Sequence, residues 1–433
     1  MYCQLDTLRR HIPASIRKAL NELPITLDET YSRTLECIPK EKTRHAHRLF
    51  QCLIAAIRPL RVEELAEIFA IEFDSKEGPN LVEGWREEDP EEAVLAACSS
   101  LISIVDVKDS KIVQFSHFSV EEFLTSERLA TSNIGNISCY HIPLESAHST
   151  LARVCLTVLL HLDDRIDEKR LGTFPLAPYA GQHWIGHAKF GNIASELGDA
   201  MECLFDPKKP HLAVWIWIYD VDDSYGRSTV DLAEHPPPPV ATPLYYAAFC
   251  GLSALVRRLI TSHAEDANAK CGRRGTPLHG ACLGGQLECM RVLLESGADI
   301  GAQDDEGFAV LHIASEDGKV EVVGLLLQHN ADVNAKTKYE TDRTPLIYAS
   351  ASGHVRVAQL LLEHGADINA GDEDGDTALG WASVNGNLNV VRLLLGHGAD
   401  VNIGGTWTPF KAAAEHGHVE IAQLLLEHGA QLE

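Results

Sequence analysis

Apolar positions in the second half of the chain recur with a long and nearly constant period. Six related segments start at spacings of 34, 33, 35, 33 and 31 residues. Their first residues are Thr242, Thr276, Ala309, Thr344, Thr377 and Thr408. A glycine stands nine residues after each start, and a second Gly, an Asn or a His stands twelve residues later. This period, with all length variation confined to one connector, predicts an array of helix pairs.

Residues 344–370 show why each segment has this composition. In the first predicted helix, Leu346 and Ser350 share one face at four-residue spacing. Gly353 stands where that helix must end in a left-handed conformation, and a leucine-rich second helix follows. Asn330 takes the place of the second glycine in one segment, and Asn tolerates the same conformation. One such unit cannot bury its own apolar faces, so neighbouring units must stack.

This register resembles the ankyrin repeat, and the resemblance covers residues 241–433. It implies an α-solenoid with β-hairpin loops and a concave surface that binds other proteins. In each segment the core-facing residue stands two positions after the start. The residue four positions after the start lies about 200° around the helix from this core-facing residue. The resemblance places this column on the concave surface. The column reads Tyr246, Gly280, Ile313, Tyr348, Trp381 and Ala412.

The large members of that column allow two interpretations. They are Tyr246, Ile313, Tyr348 and Trp381. Aromatic side chains along a concave surface are typical of a protein-binding groove. Alternatively, these side chains pack on one another between neighbouring repeats.

The predicted hairpin tips change charge along the array. The tip residues that we take as candidates for contact with a partner are Arg273, Arg274, Asp305, Glu306, Glu373, Asp374 and Asp376. Between the two acidic tips lies one that contains Lys336, Lys338 and Arg343. Such charges are either solvated loops or the complement of a partner with a basic central patch.

The first half of the chain begins with helical periodicity and then changes to the period of strands. Apolar stripes predict four helices, the first capped by Thr26, the second with its stripe from Ala46 to Ile57, and the fourth started at Asp89. Residues 102–105 and 111–115 predict a hairpin, and Ser119 predicts the cap of a closing helix. Together they predict a winged-helix domain with a small β-wing over residues 26–133.

Residues 134–235 predict a helical bridge whose tryptophans bury against the first repeat. Residues 236–240 form a proline-rich linker, and residues 241–433 are the six repeats. Residues 1–25 look helical and start abruptly, so we expect the chain to be the later part of a longer protein. The predicted fold class is therefore mainly α: a winged helix, a helical bridge and a solenoid.

Several segments of the first half resemble the tail of fungal NACHT-type signalling NTPases. They read CQLDTLRR, LDETYSRTL, RPLRVEELAEIFAIEF, SLISIVD and QFSHFSVEEFLTS. In that family a winged helix follows the nucleotide-binding domain, and ankyrin repeats commonly come next. The resemblance implies that residues 1–25 are a remnant of a NACHT helical tail. It also matches His117 to a histidine that contacts bound diphosphate, a role that requires a nucleotide-binding domain, whereas a structural role at the junction of wing and helix needs none.

Composition narrows the functional classes. The net charge is -25, with 13 basic against 25 acidic residues over 241–433, which argues against a broad nucleic-acid footprint. The 11 cysteines form no Cys-x-x-Cys pair and indicate reduced thiols. The apolar runs are too short to span a bilayer, and no secretory signal is visible, so we expect no membrane association. These features favour the cytoplasm and leave the nucleus open.

Motifs that carry chemistry are absent from the sequence. There is no G-x-x-x-x-G-K-[ST] phosphate loop and no G-x-S-x-G elbow. His183 and His187 stand one turn apart, a spacing found in zinc sites, but no third ligand accompanies them. We therefore expect no catalytic residues, no cofactor and no metal.

The sequence thus predicts a non-enzymatic protein that recognises another protein through the concave surface of the repeats, in a truncated signalling or scaffold protein. Two alternatives stay open at this level. One is a winged-helix DNA-binding regulator, against which the acidic charge and the absence of a basic recognition helix count. The other is the regulatory half of a nucleotide-switched ATPase whose NACHT domain lies on another chain.

Overall fold

A computed structural model of the chain describes residues 26–431, apart from 74, 76–77, 109, 133–136, 220, 222–234, 263, 272–274 and 339–341. The chain divides into two compact units, Met1–Pro238 and Pro239–Glu433. The described residues are mainly helical with few strands, which confirms the predicted fold class. The helix expected within residues 1–25 lies outside the described residues. The predicted domain boundaries stay a prediction.

The first part of unit one is the winged helix. Its helices are α1 Leu27–Glu36, α2 Thr43–Ala55, α3 Val62–Phe69, α4 Pro90–Cys98, α5 Phe118–Leu124 and α6 Glu127–Ala130. Its strands are β1 Leu60–Arg61, β2 Ile71–Glu72, β3 Asn80–Leu81, β4 Ile102–Val107 and β5 Ser110–Phe115. Strands β4 and β5 form the predicted antiparallel hairpin, and β1 joins β5 to give the order β1-β5-β4. Strand β1 was not predicted, because a strand of two residues is too short to show an alternating pattern of apolar and polar positions.

Helix starts in this part follow the capping residues, with one correction. Thr26 Oγ1 accepts a hydrogen bond from Glu29 N at 3.2 Å, and Asp89 caps α4 as predicted. The cap of α5 is His117 rather than Ser119, because His117 Nδ1 accepts from Ser119 N at 3.2 Å. The capping acceptor is thus an imidazole nitrogen rather than the expected hydroxyl oxygen.

Helix α2 is shorter than its apolar stripe predicted. The stripe extended to Ile57, but the helix ends at Ala55, and Ile57 is exposed. Pro59 explains the early end, because the residue before a proline is disfavoured in the helical conformation. The backbone N–H of Ile57 instead donates to Tyr179 Oη at 3.2 Å.

The second part of unit one is a set of helices packed on the winged helix. They are α7 Leu144–His161, α8 Glu168–Leu171, α9 Ala177–Ala188, α10 Ile193–Glu196, α11 Gly198–Leu204 and α12 His211–Ile218. Helices α10 and α11 follow each other directly but do not form one continuous helix. The helical conformation is interrupted at Leu197, directly before Gly198. Glycine loses more conformational entropy than other residues when it becomes helical, which disfavours one continuous helix here.

Buried polar contacts join the two parts of this unit. Glu67, on α3, is buried, and its Oε2 accepts a hydrogen bond from Leu176 N at 2.7 Å. Gln51, on α2, bonds to Ser146 Oγ at 3.0 Å. A buried carboxylate is tolerated only when it is hydrogen-bonded or paired. These contacts are specific, so the helical part is packed onto the winged helix.

Trp215, one of the tryptophans expected to bury against the first repeat, packs on aromatic residues of unit one. Trp215 is fully buried within unit one, with its ring centroid 5.5 Å from that of Trp184 and 5.7 Å from that of Phe205. Its Nε1 donates to Gly181 O at 2.9 Å. Within unit one, α9 and the end of α11 thus supply an apolar site for Trp215.

Unit two consists of stacked helix pairs. The first helices are Pro243–Phe249 (α13), Pro277–Leu283 (α15), Val310–Glu316 (α17), Pro345–Ala351 (α19), Ala378–Val384 (α21) and Pro409–Glu415 (α23). The second helices are Ser253–Ser262 (α14), Leu287–Glu295 (α16), Val320–Gln328 (α18), Val355–Glu363 (α20), Leu388–Gly396 (α22) and Val419–Glu427 (α24). Gly353 and Asn330 have φ of 79° and 62°, so both predicted left-handed positions are confirmed.

Four hairpins are fastened to the next one by an asparagine side chain, whereas Gly301 takes the place of this asparagine in the hairpin before the third repeat. The Oδ1 of each asparagine accepts the backbone N–H of the following connector. The four pairs are Asn268 with Asp299 at 2.6 Å, Asn334 with Asp367 at 2.8 Å, Asn369 with Asp400 at 3.0 Å and Asn402 with Gln431 at 2.9 Å. Repetition of one bond along the array fixes the spacing of the hairpins.

Candidate protein-interaction site

The predicted aromatic column lies mostly between repeats rather than on an open surface. Tyr246 is 0% exposed and Tyr348 is 7% exposed, so their predicted display to a partner is wrong. The Tyr348 ring lies 5.3 Å from Phe308 and 5.9 Å from His312, centroid to centroid. In a stack, a first helix has neighbours on two sides, and this position faces one of them. For Tyr348 these contacts favour packing between repeats, whereas for Tyr246 the structure shows burial.

The other two large members of the column, Ile313 and Trp381, are half-buried. Sequence reasoning missed a more open column, seven residues after each start. It reads Phe249, Leu283, Glu316, Ala351, Val384 and Glu415, of which Leu283, Glu316 and Glu415 are exposed and the rest are half-buried. A helical wheel alone could not separate the two columns, because both lie far from the core-facing residue.

Two hairpins present exposed acids on turns of the same construction. Asp304 Oδ1 accepts hydrogen bonds from Glu306 N at 2.9 Å and Phe308 N at 2.8 Å. Asp372 Oδ1 accepts from Asp376 N at 2.9 Å. The carboxylates held outward by these turns are Asp305, Glu306, Glu373 and Asp374, and all four residues are exposed. We call these four residues the acidic tips.

Asp376 does not belong to the acidic tips, contrary to the prediction. It is only 9% exposed, because the next hairpin packs directly against it. Its Oδ1 accepts hydrogen bonds from Gly405 N at 3.1 Å and Trp407 N at 3.3 Å. The approach is so close that a Cβ at Gly405 would lie 1.4 Å from Asp374 O. Asp376 therefore joins two hairpins instead of displaying its charge.

Trp381 is held in place by a buried ion pair. Its Nε1 donates to Asp372 Oδ2 at 2.9 Å, and Arg343 Nε lies 3.4 Å from the same oxygen. The guanidinium carbon of Arg343 lies 3.9 Å from the Trp381 ring centroid, a cation–π contact. Arg343 is thus engaged within the array. Arg273 and Arg274 lie outside the described residues, so their contact with a partner stays a prediction.

The histidines at the third position of the first helices have a structural role. His279 Nδ1 accepts from Thr276 N at 3.1 Å, and its Nε2 donates to Phe308 O at 3.0 Å. His312 makes the equivalent bonds to Ala309 N and to Ala335 O. Burial lowers the pKa of both imidazoles, which keeps them neutral and suited to one donated and one accepted bond.

The histidines considered as metal ligands or phosphate contacts lie in unit one. His187 is buried, with Nδ1 2.9 Å from His148 Nδ1 and Nε2 3.0 Å from Tyr179 Oη. Burial, with a smaller effect of His148, lowers the pKa of His187 to about 3. Within the described ranges, no group of three or more His, Cys, Asp or Glu residues is placed to hold a metal. His117 is exposed, and its diphosphate role stays a prediction.

Two family models match the two units. The model of ankyrin repeats (three copies) matches residues 244–337, 293–372, 311–405 and 371–433. The model of the GPI inositol-deacylase winged helix domain matches residues 32–134. The chain therefore contains ankyrin repeats and a winged-helix domain of this type, and ankyrin repeats indicate protein partners in general. No helix among the described residues is long and apolar enough to cross a membrane.

Three curated proteins are similar to the chain. The azaphilone pigments biosynthesis cluster protein L of Monascus ruber is 30% identical over 297 residues, 65% of this chain and 61% of that protein. Alpha-latrocrustotoxin-Lt1a of Latrodectus tredecimguttatus is 34% identical over 64 residues, 15% and 4% of the two chains. Zinc finger CCCH domain-containing protein 24 of Oryza sativa subsp. japonica is 40% identical over 88 residues, 19% and 11%. The chain thus spans 61% of the Monascus protein and far less of the other two.

Proposed function

We propose that the protein recognises another protein through the acidic tips and the open column of the ankyrin array, without catalysing a reaction. The observation that carries this proposal is the pair of turns closed by Asp304 and Asp372, whose ordered backbone carries four exposed acidic residues. Ordered charges on a rigid frame lose little conformational entropy on binding. The partner that fits has a basic surface patch of matching spacing.

The frame behind these turns supports the proposal. Asparagine bonds join neighbouring hairpins at four places, and the bond from Asp367 N to Asn334 Oδ1 holds the connector that leads to Glu373 and Asp374. A second row of bonds joins the residue before a second helix to the first helix of the preceding repeat: His354 Nε2 donates to Glu316 O at 2.8 Å and His418 Nε2 to Val384 O at 3.0 Å. The frame therefore varies little from repeat to repeat, while the exposed tips differ in charge.

The thiols of the described residues also support a binding rather than a catalytic role. Burial raises the pKa of Cys52 and of Cys282 to about 12 and raises that of Cys155 well above its usual value. A thiol is a nucleophile only as its thiolate, so these buried groups are poor nucleophiles.

The cellular setting is part of the proposal. A fungal NACHT-type signalling protein fits the winged helix followed by ankyrin repeats, with the cytoplasm as its site. The name of the Monascus relative refers to a pigment biosynthesis cluster. From that name we take one hypothesis: the partner of this protein is encoded in a gene cluster of the same kind.

The winged helix itself favours a structural role over DNA binding. Helix α4 takes the place of a recognition helix, and its sequence, PEEAVLAAC, contains two glutamates and no basic residue. Glu91 on this helix pairs with Lys111 of β5, which removes a basic charge from the wing. Duplex DNA carries a dense negative charge, so this surface repels it.

The test is affinity purification from the host with the acidic tips neutralised. The variant carries Asp305→Asn, Glu306→Gln, Glu373→Gln and Asp374→Asn. It should lose the partner that the wild type enriches, and the loss should be at least tenfold.

A control variant neutralises four exposed acids on the second helices: Glu295→Gln, Glu321→Gln, Glu363→Gln and Glu427→Gln. It changes the net charge equally and should keep the partner. Equal enrichment by the tip variant and the wild type, or equal loss in both variants, would contradict the proposed surface.

A further inference from the structure

A small pocket opens between the fifth and sixth repeats, next to the acidic tips. It is lined by Asp376, Gly380, Trp381, Val384, Trp407 and Ala412. Its walls therefore combine two indole rings, one carboxylate and small apolar side chains. Both tryptophans are half-buried.

The carboxylate is only partly used by the protein. Asp376 is more than nine-tenths buried, and its Oδ1 accepts the backbone N–H groups of Gly405 and Trp407. Its Oδ2 has no hydrogen-bond partner among the described residues. This oxygen is not among the fully enclosed polar atoms, so a donor from outside can reach it, and a charged donor bonds more strongly than a neutral one. A positively charged group from outside would satisfy it.

The aromatic walls favour the same kind of ligand. The faces of indole rings attract cations, and tryptophan does so most strongly among the aromatic side chains. The structure already shows this at Trp381, where Arg343 of the chain itself lies 3.9 Å from the ring centroid. Because Arg343 is bound to Asp372, it does not occupy the pocket.

The size of the pocket selects the cation. The volume of the pocket is about 10 Å³, which is room for one group of the size of a water molecule. The ammonium of lysine is compact and close to water in size, with three donors on a flexible stem. A planar guanidinium or a trimethylated ammonium needs more space.

We propose that this pocket binds the unmodified side chain of a lysine of the partner protein, with its ammonium on Asp376 Oδ2 and between the faces of Trp381 and Trp407. The inference rests on the proposed function, because it assigns a specific contact to the partner that the acidic tips recognise. Glu373 and Asp374, which are exposed on the same hairpin, draw a basic segment towards the pocket.

The experiment is fluorine NMR on the full chain labelled with 5-fluorotryptophan. The chain has 6 tryptophans, and single Trp→Phe substitutions assign the signals of Trp381 and Trp407. The probe is Nα-acetyl-lysine N-methylamide, and Nα-acetyl-norleucine N-methylamide is the matched neutral probe. The lysine probe should shift these two signals with millimolar affinity, and the norleucine probe should not.

Asp376→Asn is the decisive variant, because an asparagine keeps the Oδ1 acceptor for Gly405 and Trp407 but loses the charge. It should bind the lysine probe about tenfold more weakly, since hydrogen bonds to charged groups are roughly twice as strong as neutral ones. The arginine and trimethyllysine amides should also bind about tenfold more weakly, for lack of space.

Absence of any shift at Trp381 and Trp407, equal shifts with norleucine, or unchanged affinity in Asp376→Asn would each overturn the lysine pocket. Tighter binding of trimethyllysine would overturn the size argument. These readouts need no partner protein. The lysine pocket can therefore fail while the acidic tips still bind, and the tips can fail while the pocket still binds lysine.

Discussion

The contact between the last two hairpins offers a sharp test of the geometry. In Gly405→Ala, the new Cβ would lie 1.4 Å from Asp374 O, 2.4 Å from Asp374 C and 2.9 Å from Gly375 Cα. All three are backbone atoms, so no side chain can rotate away. The two hairpins must separate, which breaks the bonds from Gly405 N and Trp407 N to Asp376.

The size of the effect follows from the contacts that are lost. Two hydrogen bonds to a charged acceptor contribute about 1.5–3 kcal/mol each, so we expect the free energy of unfolding to fall by about 3–6 kcal/mol. Because repeat arrays are stabilised by neighbouring interfaces, the loss should fall on the last repeats. Urea unfolding followed by tryptophan fluorescence should show an early transition for this part of the array.

The matched control is Gly396→Ala at the end of helix α22. No atom lies within 4 Å of a Cβ there, and the residue is helical. Alanine is favoured over glycine in a helix by up to about 1 kcal/mol. This variant should be as stable as the wild type or slightly more stable. The reasoning is refuted if Gly405→Ala unfolds at the same urea concentration as Gly396→Ala.

Three further predictions concern buried groups. Asp372→Ala should lower the free energy of unfolding by about 3–5 kcal/mol, because it removes the buried acceptor of Trp381 Nε1 and Asp376 N and the ion-pair partner of the half-buried Arg343; chemical denaturation tests it, and Trp381→Phe, which removes only one neutral donor, should cost less. The pKa of His187 is about 3 in the folded state, below its value in the unfolded chain, so the unfolded state binds more protons between these two pKa values. The free energy of unfolding should therefore fall as the pH drops below about 6.5. In unfolding measured at several pH values, His187→Asn should make this dependence on pH weaker. A thiol reagent followed by mass spectrometry should label the exposed Cys37 in the native protein and Cys52 only after unfolding; native labelling of Cys52 at a similar rate would contradict its burial.

The repeat frame could be predicted from the sequence because its requirements are local. The left-handed residues Gly353 and Asn330 stand at fixed distances from each start, and the structure gives both positive φ. Helix caps such as Thr26 and Asp89 are likewise encoded within a few residues. These features need no knowledge of the neighbouring repeat.

The display surface could not be predicted to the same extent, because it depends on how the repeats stack. Tyr348 is far from the core-facing residue on a helical wheel, yet Phe308 of the preceding hairpin covers it. Asp376 looked like one more charge on an acidic loop, and only the close approach of Gly405 shows that it is buried. Neither contact is local in the sequence.

Buried charges in unit one show the same limit. Glu64 and Glu67 resemble the exposed face of a short helix, but both are buried. Burial raises the pKa of Glu67, whereas for Glu64 hydrogen bonds from Arg58 and Arg61 outweigh burial and lower it. The partners of Glu67 lie in later segments, at Arg86 and at the backbone before α9. No periodic pattern indicates such pairs.

The central claim is that a partner protein covers the acidic tips, and carboxyl footprinting tests it most directly. The protein is labelled with a carbodiimide and glycine ethyl ester, alone and with the purified partner, and the modified sites are quantified by mass spectrometry. We predict that the partner protects Asp305, Glu306, Glu373 and Asp374 several-fold, while Glu321 and Glu363 on the second helices stay equally reactive. Protection of the second helices with unchanged labelling of the four tip residues would contradict the account.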